Sequence, residues 1–176
     1  MTRSYLLVLV VACTSSSSTK SPGGSSVTVN GTIGGTPPML VTAVSQVTTD
    51  DKGSLLLVWL SPLADACGAP GVFEPSEASI ELALYKAGAG GLVAATDPGA
   101  YTTDVTGPGP YAEIDVYDRD ASCQPTDAEG KGDGTVTLTT AGNAPAGSFD
   151  FTTGSEHVSG TFDAETCAWT DATTCN

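Results

Sequence analysis

The sequence has few basic residues, few aromatic residues and no long apolar run. Lys and Arg together number 6 against 20 Asp and Glu, so the 176 residues carry a formal charge of −14. This charge excludes electrostatic binding to nucleic acid and disfavours docking on anionic lipid through a basic patch. An aromatic content of 6% serves one core and leaves little for an aromatic-lined substrate cleft. The length fits one domain, alone or with a tail.

Motifs of the common enzyme classes are absent as well. The chain has no GxSxG, GxxxxGK[ST] or HExxH, and no GxGxxG after a strand. The one histidine, His157, falls in a predicted hairpin turn, where we expect a solvated side chain instead of the oriented base of a catalytic triad. We therefore predict no catalytic residue and a protein that is not an enzyme. A hydrolase is the least favoured hypothesis.

The N-terminus has the layout of a secretory signal. Arg3 supplies a positive charge, and residues 5–12 form an apolar run that is too short to span a bilayer core of about 30 Å. Residues 10–13, which read Val-Val-Ala-Cys, resemble the lipobox of bacterial lipoproteins. An ordinary signal peptide followed by an accidental cysteine is the alternative.

The lipobox resemblance implies a membrane anchor. It implies that residues 1–12 are a signal peptide, that cleavage frees the amine of Cys13, and that Cys13 then carries diacylglycerol and a fatty acid such as palmitate. Two or more acyl chains hold a protein stably on a membrane. Because Thr14 is not Asp, the chain resembles an outer-membrane lipoprotein more than an inner-membrane one. Residues 13–26 then form the lipidated cysteine and a flexible, Ser-rich tether, and residues 27–176 form one β domain.

The cysteine count agrees with the anchor. Five cysteines are an odd number for an exported chain, and a thioether at Cys13 leaves four for two disulfides. No pair has the spacing of a zinc or thioredoxin-type site. Three pairings are open; we favour Cys67–Cys123 with Cys167–Cys175. Disulfides of this kind indicate an oxidising compartment.

Apolar residues after position 27 follow the period of β-strands. Ile80, Leu82 and Leu84 alternate with positions that we expect to face solvent, and Ala112, Ile114 and Val116 do the same. Gly or Pro residues separate the alternating segments. Residues 55–60 form a continuous apolar run that predicts a central strand, with Trp59 in the core. No segment has the apolar stripe of a helix. We therefore predict an all-β fold, an antiparallel β-sandwich or partly open barrel of about 8–9 strands, stapled by the two disulfides.

The C-terminal part contains a short internal repeat, which we call the echo. The tetrads G-S-F-D at residues 147–150 and G-T-F-D at residues 160–163 flank a short turn, as the two arms of a hairpin would. The pattern from G-S-F-D-F to V-S-G-T-F-D-A-E-T-C resembles the tail of small bacterial lipoproteins that are plentiful in myxobacteria and their relatives. Those proteins have no established activity, so the resemblance bears on fold and location alone.

An acidic segment near the middle has the spacing of a calcium loop. Asp118, Asp120, Ser122 and Glu129 match oxygen-ligand positions of an EF-hand, although Cys123 stands where such a loop has Gly. A solvated acidic loop is the favoured alternative, and we expect no other cofactor.

Two functional hypotheses follow from the sequence. The first is a non-catalytic structural or binding module at the cell envelope, held by its lipid anchor and binding an unidentified protein or carbohydrate. The second is a calcium-dependent adhesion or carbohydrate-binding module that uses the acidic segment.

Overall fold

A computed structural model describes residues 17–20, 24–67, 72–73, 75–106, 109–169 and 174–175, with the backbone alone for the first, third and last of these segments. The described residues form β-strands, bends and turns, and none of them lies in a helix. The predicted all-β class is therefore confirmed. Within these segments no helix has the length and apolarity needed to cross a bilayer. The predicted signal peptide and Cys13 lie outside the described residues.

Fourteen strands follow one another along the described part of the chain. They are β1 (Ser17–Lys20), β2 (Ser26–Gly31), β3 (Thr42–Asp50), β4 (Gly53–Ser61), β5 (Val72–Phe73), β6 (Ala78–Gly88), β7 (Gly91–Ala94), β8 (Gly99–Thr102), β9 (Pro110–Asp118), β10 (Gly130–Thr140), β11 (Ala146–Thr153), β12 (Glu156–Asp163), β13 (Glu165–Thr166) and β14 (Thr174–Cys175). Twelve of them form one sheet in the order β1-β2-β12-β11-β10-β8-β9-β6-β7-β4-β3-β13, and β5 pairs with β14.

The large sheet curls into a half-barrel. β12 and β13 stand third and last in the strand order, yet only the buried Ala164 separates them in sequence. The sheet must therefore bend until its two ends approach each other. Most neighbouring strands are antiparallel, but β13–β3, β8–β9 and β4–β7 are parallel pairs. The prediction of an antiparallel sandwich of 8–9 strands is wrong in topology and number, and the curled sheet is closer to the alternative of a partly open barrel.

The concave face of the sheet encloses the main core. Alternate residues of the central strands β4, β6 and β9 point inward and are almost fully buried. Leu56, Val58 and Leu60 line the inside of β4, while Trp59 on the same strand is buried on the outside. Burial on both faces explains why the run at residues 55–60 does not alternate, and the predicted central strand is confirmed.

The two echo tetrads form the predicted hairpin. β11 pairs with β12 so that Gly147 lies opposite Phe162 and Phe149 lies opposite Gly160. Gly154 turns the chain between them with a φ of 58°, a left-handed conformation that glycine adopts without steric cost. Phe149 and Phe162 are both buried in the core, so the echo repeats one structural unit on two neighbouring strands.

One disulfide joins Cys67 to Cys167 among the residues whose side chains are described. The predicted pairs Cys67–Cys123 and Cys167–Cys175 are therefore both wrong. The physical reason is the parallel pairing of β13 with β3, which carries the chain after β12 to the far edge of the sheet. The backbone N–H of Cys167 donates to Ser45 O at 3.0 Å, and this contact holds the cysteine close to the loop that follows β4.

A small second cluster packs on the outside of the sheet beside this disulfide. Val44, Trp59 and Ala66 are buried there, and the half-buried Trp169 packs against them from the C-terminal side of Cys167. Trp169 N–H also donates to the side-chain oxygen of Gln46 at 3.2 Å. The chain after β13 thus covers the outer face of β3 and β4.

Part of the predicted tether is paired with the domain. The backbone of Ser17–Lys20 runs antiparallel to β2, with Ser17 opposite Val29 and Lys20 opposite Ser26. This pairing places the chain that precedes the predicted β domain along the edge of the sheet.

Candidate functional site

The outer face of β6, β9 and β10 carries alternating tyrosines and charged side chains. Strand register aligns Glu81 with Asp115 and Asp115 with Lys131, so the three side chains form a row across the sheet. Tyr85 and Tyr111 stand opposite each other on β6 and β9, with ring centroids 5.7 Å apart. We call these five residues, together with Glu113 and Tyr117, the tyrosine–carboxylate face.

Side chains of this face are paired with one another. Lys131 Nζ lies 2.8 Å from Asp115 Oδ2 and 3.8 Å from Glu113 Oε2. The hydroxyl of Tyr85 donates to Glu113 Oε1 at 3.2 Å, and that of Tyr117 donates to Glu81 Oε2 at 3.3 Å. The lysine and the two tyrosine hydroxyls therefore each contact a carboxylate of the face, which keeps more negative than positive charge.

The surroundings of three side chains on this face raise the pKa of each above its ordinary value. Burial, followed by the charge of Glu113, raises the pKa of Tyr85. Burial and then the Glu81 charge raise the pKa of Tyr117 still further. The hydrogen bond to Asp115 raises the pKa of Lys131. Two tyrosines and a lysine that stay protonated can donate hydrogen bonds, but they supply neither a base nor a nucleophile.

Some residues of the tyrosine–carboxylate face could be predicted from the sequence to share one side of a strand. Glu81, Tyr85, Glu113, Asp115 and Tyr117 all occupy the wetter positions of two alternating segments. Their convergence could not be read from the sequence, because β6 and β9 are neighbours in the sheet but are separated by β7 and β8 along the chain.

The four residues of the predicted calcium loop lie at the end of β9 and in the loop after it. Asp118 Oδ2 accepts a hydrogen bond from the Thr126 hydroxyl, and Asp120 Oδ1 accepts from the N–H groups of Ser122 and Gln124 at 2.7 and 2.9 Å. The loop bends at Cys123, whose φ of 59° is the conformation that EF-hand loops give to glycine.

Glu129, the fourth predicted calcium ligand, forms an ion pair with Arg119 of the same chain. Its Oε2 lies 3.1 Å from the Arg119 guanidinium, and both side chains are largely buried. Across the described residues, no three acidic, histidine or cysteine side chains gather closely enough to hold a metal ion. A calcium ion bound by Glu129 would therefore compete with Arg119 for its carboxylate.

We expect millimolar Ca²⁺ to leave the melting temperature unchanged within about 1 °C, because the carboxylates already have partners in the folded state. A ligand at 100 times its Kd would add about 2.7 kcal/mol to the unfolding free energy. The measurement is a thermal melt with CaCl₂ or with EDTA, on the chain and on Asp120→Ala. A rise in melting temperature with Ca²⁺ that Asp120→Ala abolishes would contradict this expectation and restore the calcium-dependent hypothesis.

His157 and its neighbours do not form a catalytic arrangement. The His157 ring lies at the start of β12, 58% exposed, and its Nε2 is 3.0 Å from Asp150 Oδ1 on the paired strand. Glu156 turns away from it and accepts from the Thr32 hydroxyl at 2.8 Å and from the N–H groups of Gly34 and Gly35 at 2.7 and 2.8 Å. These bonds, that of Thr32 first, lower the pKa of Glu156. The predicted solvated histidine agrees with this geometry, and Glu156 has the structural task of holding a turn.

No family model matches the chain, and neither a curated protein nor a solved structure matches it.

Proposed function

We propose that this chain is an exported lipoprotein, anchored by Cys13 in the outer membrane, whose β domain is a non-catalytic binding module at the cell envelope. The observation that carries the proposal is the disulfide between Cys67 and Cys167 in a chain that begins with a lipobox-like sequence. Disulfides persist in oxidising compartments, and a lipobox directs a chain to such a compartment.

The chemistry of the described surface supports a binding role over catalysis. Tyr85, Tyr117 and Lys131 have a raised pKa and donate to or pair with neighbouring carboxylates, so they are not bases at neutral pH. His157 is exposed at the start of β12, and its partner Asp150 is exposed as well, so no buried group orients it as a base. The curled sheet instead carries tyrosines, carboxylates and a lysine on its outer face, which suits contact with a partner.

The proposal includes a second disulfide. Cys123 is disulfide-bonded as well as Cys67 and Cys167. If Cys13 carries lipid, Cys175 is the one cysteine that remains as its partner. We propose the pairs Cys67–Cys167 and Cys123–Cys175, which non-reducing peptide mapping would identify directly.

The Cys13→Ser variant is expected to move the protein from the membrane fraction to the soluble fraction. Each buried CH₂ of an acyl chain contributes about 0.8 kcal/mol. With 6 basic against 20 acidic residues, the chain would not replace this attachment by electrostatic binding to anionic lipid. Fractionation of cells, followed by intact mass measurement, tests the prediction. The wild-type mass should equal residues 13–176 plus the lipid groups, less four hydrogens.

Thr14→Ser is the matched control, since it changes a neighbouring residue but leaves the lipobox intact; this variant should stay on the membrane. Retention of Cys13→Ser on the membrane, or a wild-type mass without lipid, would contradict the anchor.

A further inference from the structure

The pairing of β1 with β2 shortens the free chain between the proposed lipid anchor and the sheet. Ser17 is the first paired residue and lies opposite Val29. Three residues separate it from Cys13, so Cys13 lies at most about 14 Å from Ser17. An unpaired tether over residues 14–26 would have a root-mean-square reach of about 20 Å and could extend much further. The pairing therefore holds the sheet close to any lipid on Cys13.

The pairing also sets the direction in which the chain leaves the sheet. Because β1 is antiparallel to β2, the chain traced from Lys20 back to Ser17 moves toward Gly31, where β2 ends. A reversal of this direction needs a turn of four residues. With three residues between Cys13 and Ser17, such a turn would bring Cys13 back only to the level of Ser17. A lipid on Cys13 therefore lies toward the end of the sheet where β2 ends.

The β11–β12 hairpin projects at this same end of the sheet. Val29 lies opposite Gly160, and Glu156, where β12 begins, is four residues and about 14 Å further along the strand. This distance equals the largest reach of Cys13, so the turn at Gly154 projects at least as far as the lipid attachment can. We call this part of the domain the hairpin end. A bilayer that holds the acyl chains would therefore lie against it.

The most exposed large hydrophobic side chain among the described residues lies at the hairpin end. It belongs to Met39, which is 76% exposed. Met39 lies in the loop that leads from the end of β2 to the start of β3. Glu156 accepts from the N–H groups of Gly34 and Gly35 and so attaches the first turn of this loop to the start of β12. The loop therefore presents its exposed thioether on the side where the anchor emerges.

Val105 is the second most exposed large hydrophobic side chain among the described residues, at 65%, and it lies near the same end. Thr103 N–H donates to Gly134 O at 3.1 Å. Strand register aligns Gly134 with Gly31 across β11 and β12, so Val105 lies beside the row of residues at which β2 ends. Exposed apolar side chains next to a lipid anchor are suited to enter the interface of a bilayer.

The charge of the hairpin end favours a lipid surface without net charge. The Asp118 carboxylate lies next to Gly34, in the turn that Glu156 holds, and Asp120 follows in the adjacent loop. The whole chain carries a formal charge of −14. Anionic headgroups would repel such a surface, whereas zwitterionic headgroups would not.

We propose that the hairpin end rests on a membrane surface of zwitterionic lipid, with Met39 and Val105 in the headgroup region. The opposite end of the sheet, where Gly53 begins β4, then faces away from the membrane and is open to a partner. This inference deepens the proposed function and rests on it, because the lipid on Cys13 and the pairing of β1 with β2 together set the orientation.

Oxidation of Met39 measures the orientation directly. The chain has two methionines, and removal of residues 1–12 leaves Met39 as the only one. Periodate, a charged oxidant that does not enter bilayers, adds one oxygen to the thioether, and the mass of the peptide that contains Met39 gives the rate. We expect the lipidated chain on phosphatidylcholine vesicles to react about fivefold more slowly than Cys13→Ser in solution.

A matched variant moves the only methionine to the opposite end of the sheet. Met39→Leu/Val93→Met places it on β7, at a position that is 48% exposed in the parent chain. Val93 lies opposite Lys86, near the end of β6 that is remote from Asp118. We expect this variant to be oxidised at the same rate with the lipid anchor on vesicles and without it in solution.

A second variant tests the role of the β1 pairing. Adjacent residues of a strand direct their N–H groups to opposite sides, so Ser18→Pro/Thr19→Pro removes a donor to β2 whichever residue supplies it. We expect this variant to stay in the membrane fraction but to lose the protection of Met39. Ser15→Pro/Ser16→Pro is the matched control; it lies outside β1 and should keep the protection.

Several outcomes would overturn the orientation. Equal oxidation of Met39 in the lipidated chain and in Cys13→Ser would do so, as would full protection in Ser18→Pro/Thr19→Pro. Protection on native membranes that is absent on vesicles would show that a protein covers Met39. Equal protection on vesicles that contain phosphatidylglycerol would overturn the choice of zwitterionic lipid. Fractionation and intact mass report on the anchor separately: a lipidated chain with unprotected Met39 refutes the orientation alone, whereas a chain without lipid refutes both.

Discussion

The double substitution Cys67→Ala/Cys167→Ala is expected to lower the free energy of unfolding by about 4–5 kcal/mol. The two cysteines are 100 residues apart in sequence, so their bond removes a large amount of loop entropy from the unfolded chain. In the folded state the same bond holds the segment with Trp169 against Trp59 on the outside of the sheet. A loss of this size is comparable to the whole stability of a marginal domain.

Urea unfolding followed by tryptophan fluorescence measures this effect, because Trp59 and Trp169 are the two tryptophans and both pack in the cluster beside the disulfide. Cys13→Ser is the control for cysteine removal as such, and its unfolding midpoint should equal that of the parent chain. A loss below about 1 kcal/mol in the double variant would show that the outer cluster holds without the covalent link.

The disulfide also shows where sequence reasoning reached its limit. Cys167 and Cys175 are close along the chain, and this closeness favoured their pairing. The parallel pairing of β13 with β3 determines a different disulfide, because it places Cys167 next to the loop that ends at Cys67. The step of the chain from β12 to the opposite edge of the curled sheet depends on long-range geometry, and local residue patterns do not encode it.

Local patterns did predict the elements that depend on local physics. Period-two alternation identified β6 and β9, and the uninterrupted apolar run at residues 55–60 identified the strand that is buried on both faces. The same alternation singled out Glu81 and Tyr85 as wet positions. Glu81 is partly exposed, but Tyr85 is buried because Tyr111 and Glu113 pack against it. The strand order was not predictable, because it requires knowing which wet faces become neighbours.

Gly160→Ala is expected to destabilise the fold by about 3 kcal/mol, far more than an ordinary glycine substitution in a strand. A Cβ at this position would lie 2.0 Å from Thr28 O on β2 and 2.5 Å from the ring of Phe149 on β11. The backbone oxygen cannot move without breaking the pairing of β2 with β12. The Phe149 ring fills the space that a side chain at residue 160 would occupy.

Gly130→Ala is the matched control, because Gly130 also lies in a strand but has no atom within 4 Å of the added Cβ. Its unfolding free energy should differ from that of the parent chain by less than about 0.5 kcal/mol. Equal urea midpoints for the two alanine variants would contradict the packing argument.

Gly147, the first residue of the other echo tetrad, extends the test. A Cβ on Gly147 would lie 2.2 Å from Thr137 O, so Gly147→Ala should destabilise the fold as Gly160→Ala does. The echo of G-S-F-D and G-T-F-D then has one physical cause, a glycine on each arm of the hairpin that lets the next strand approach.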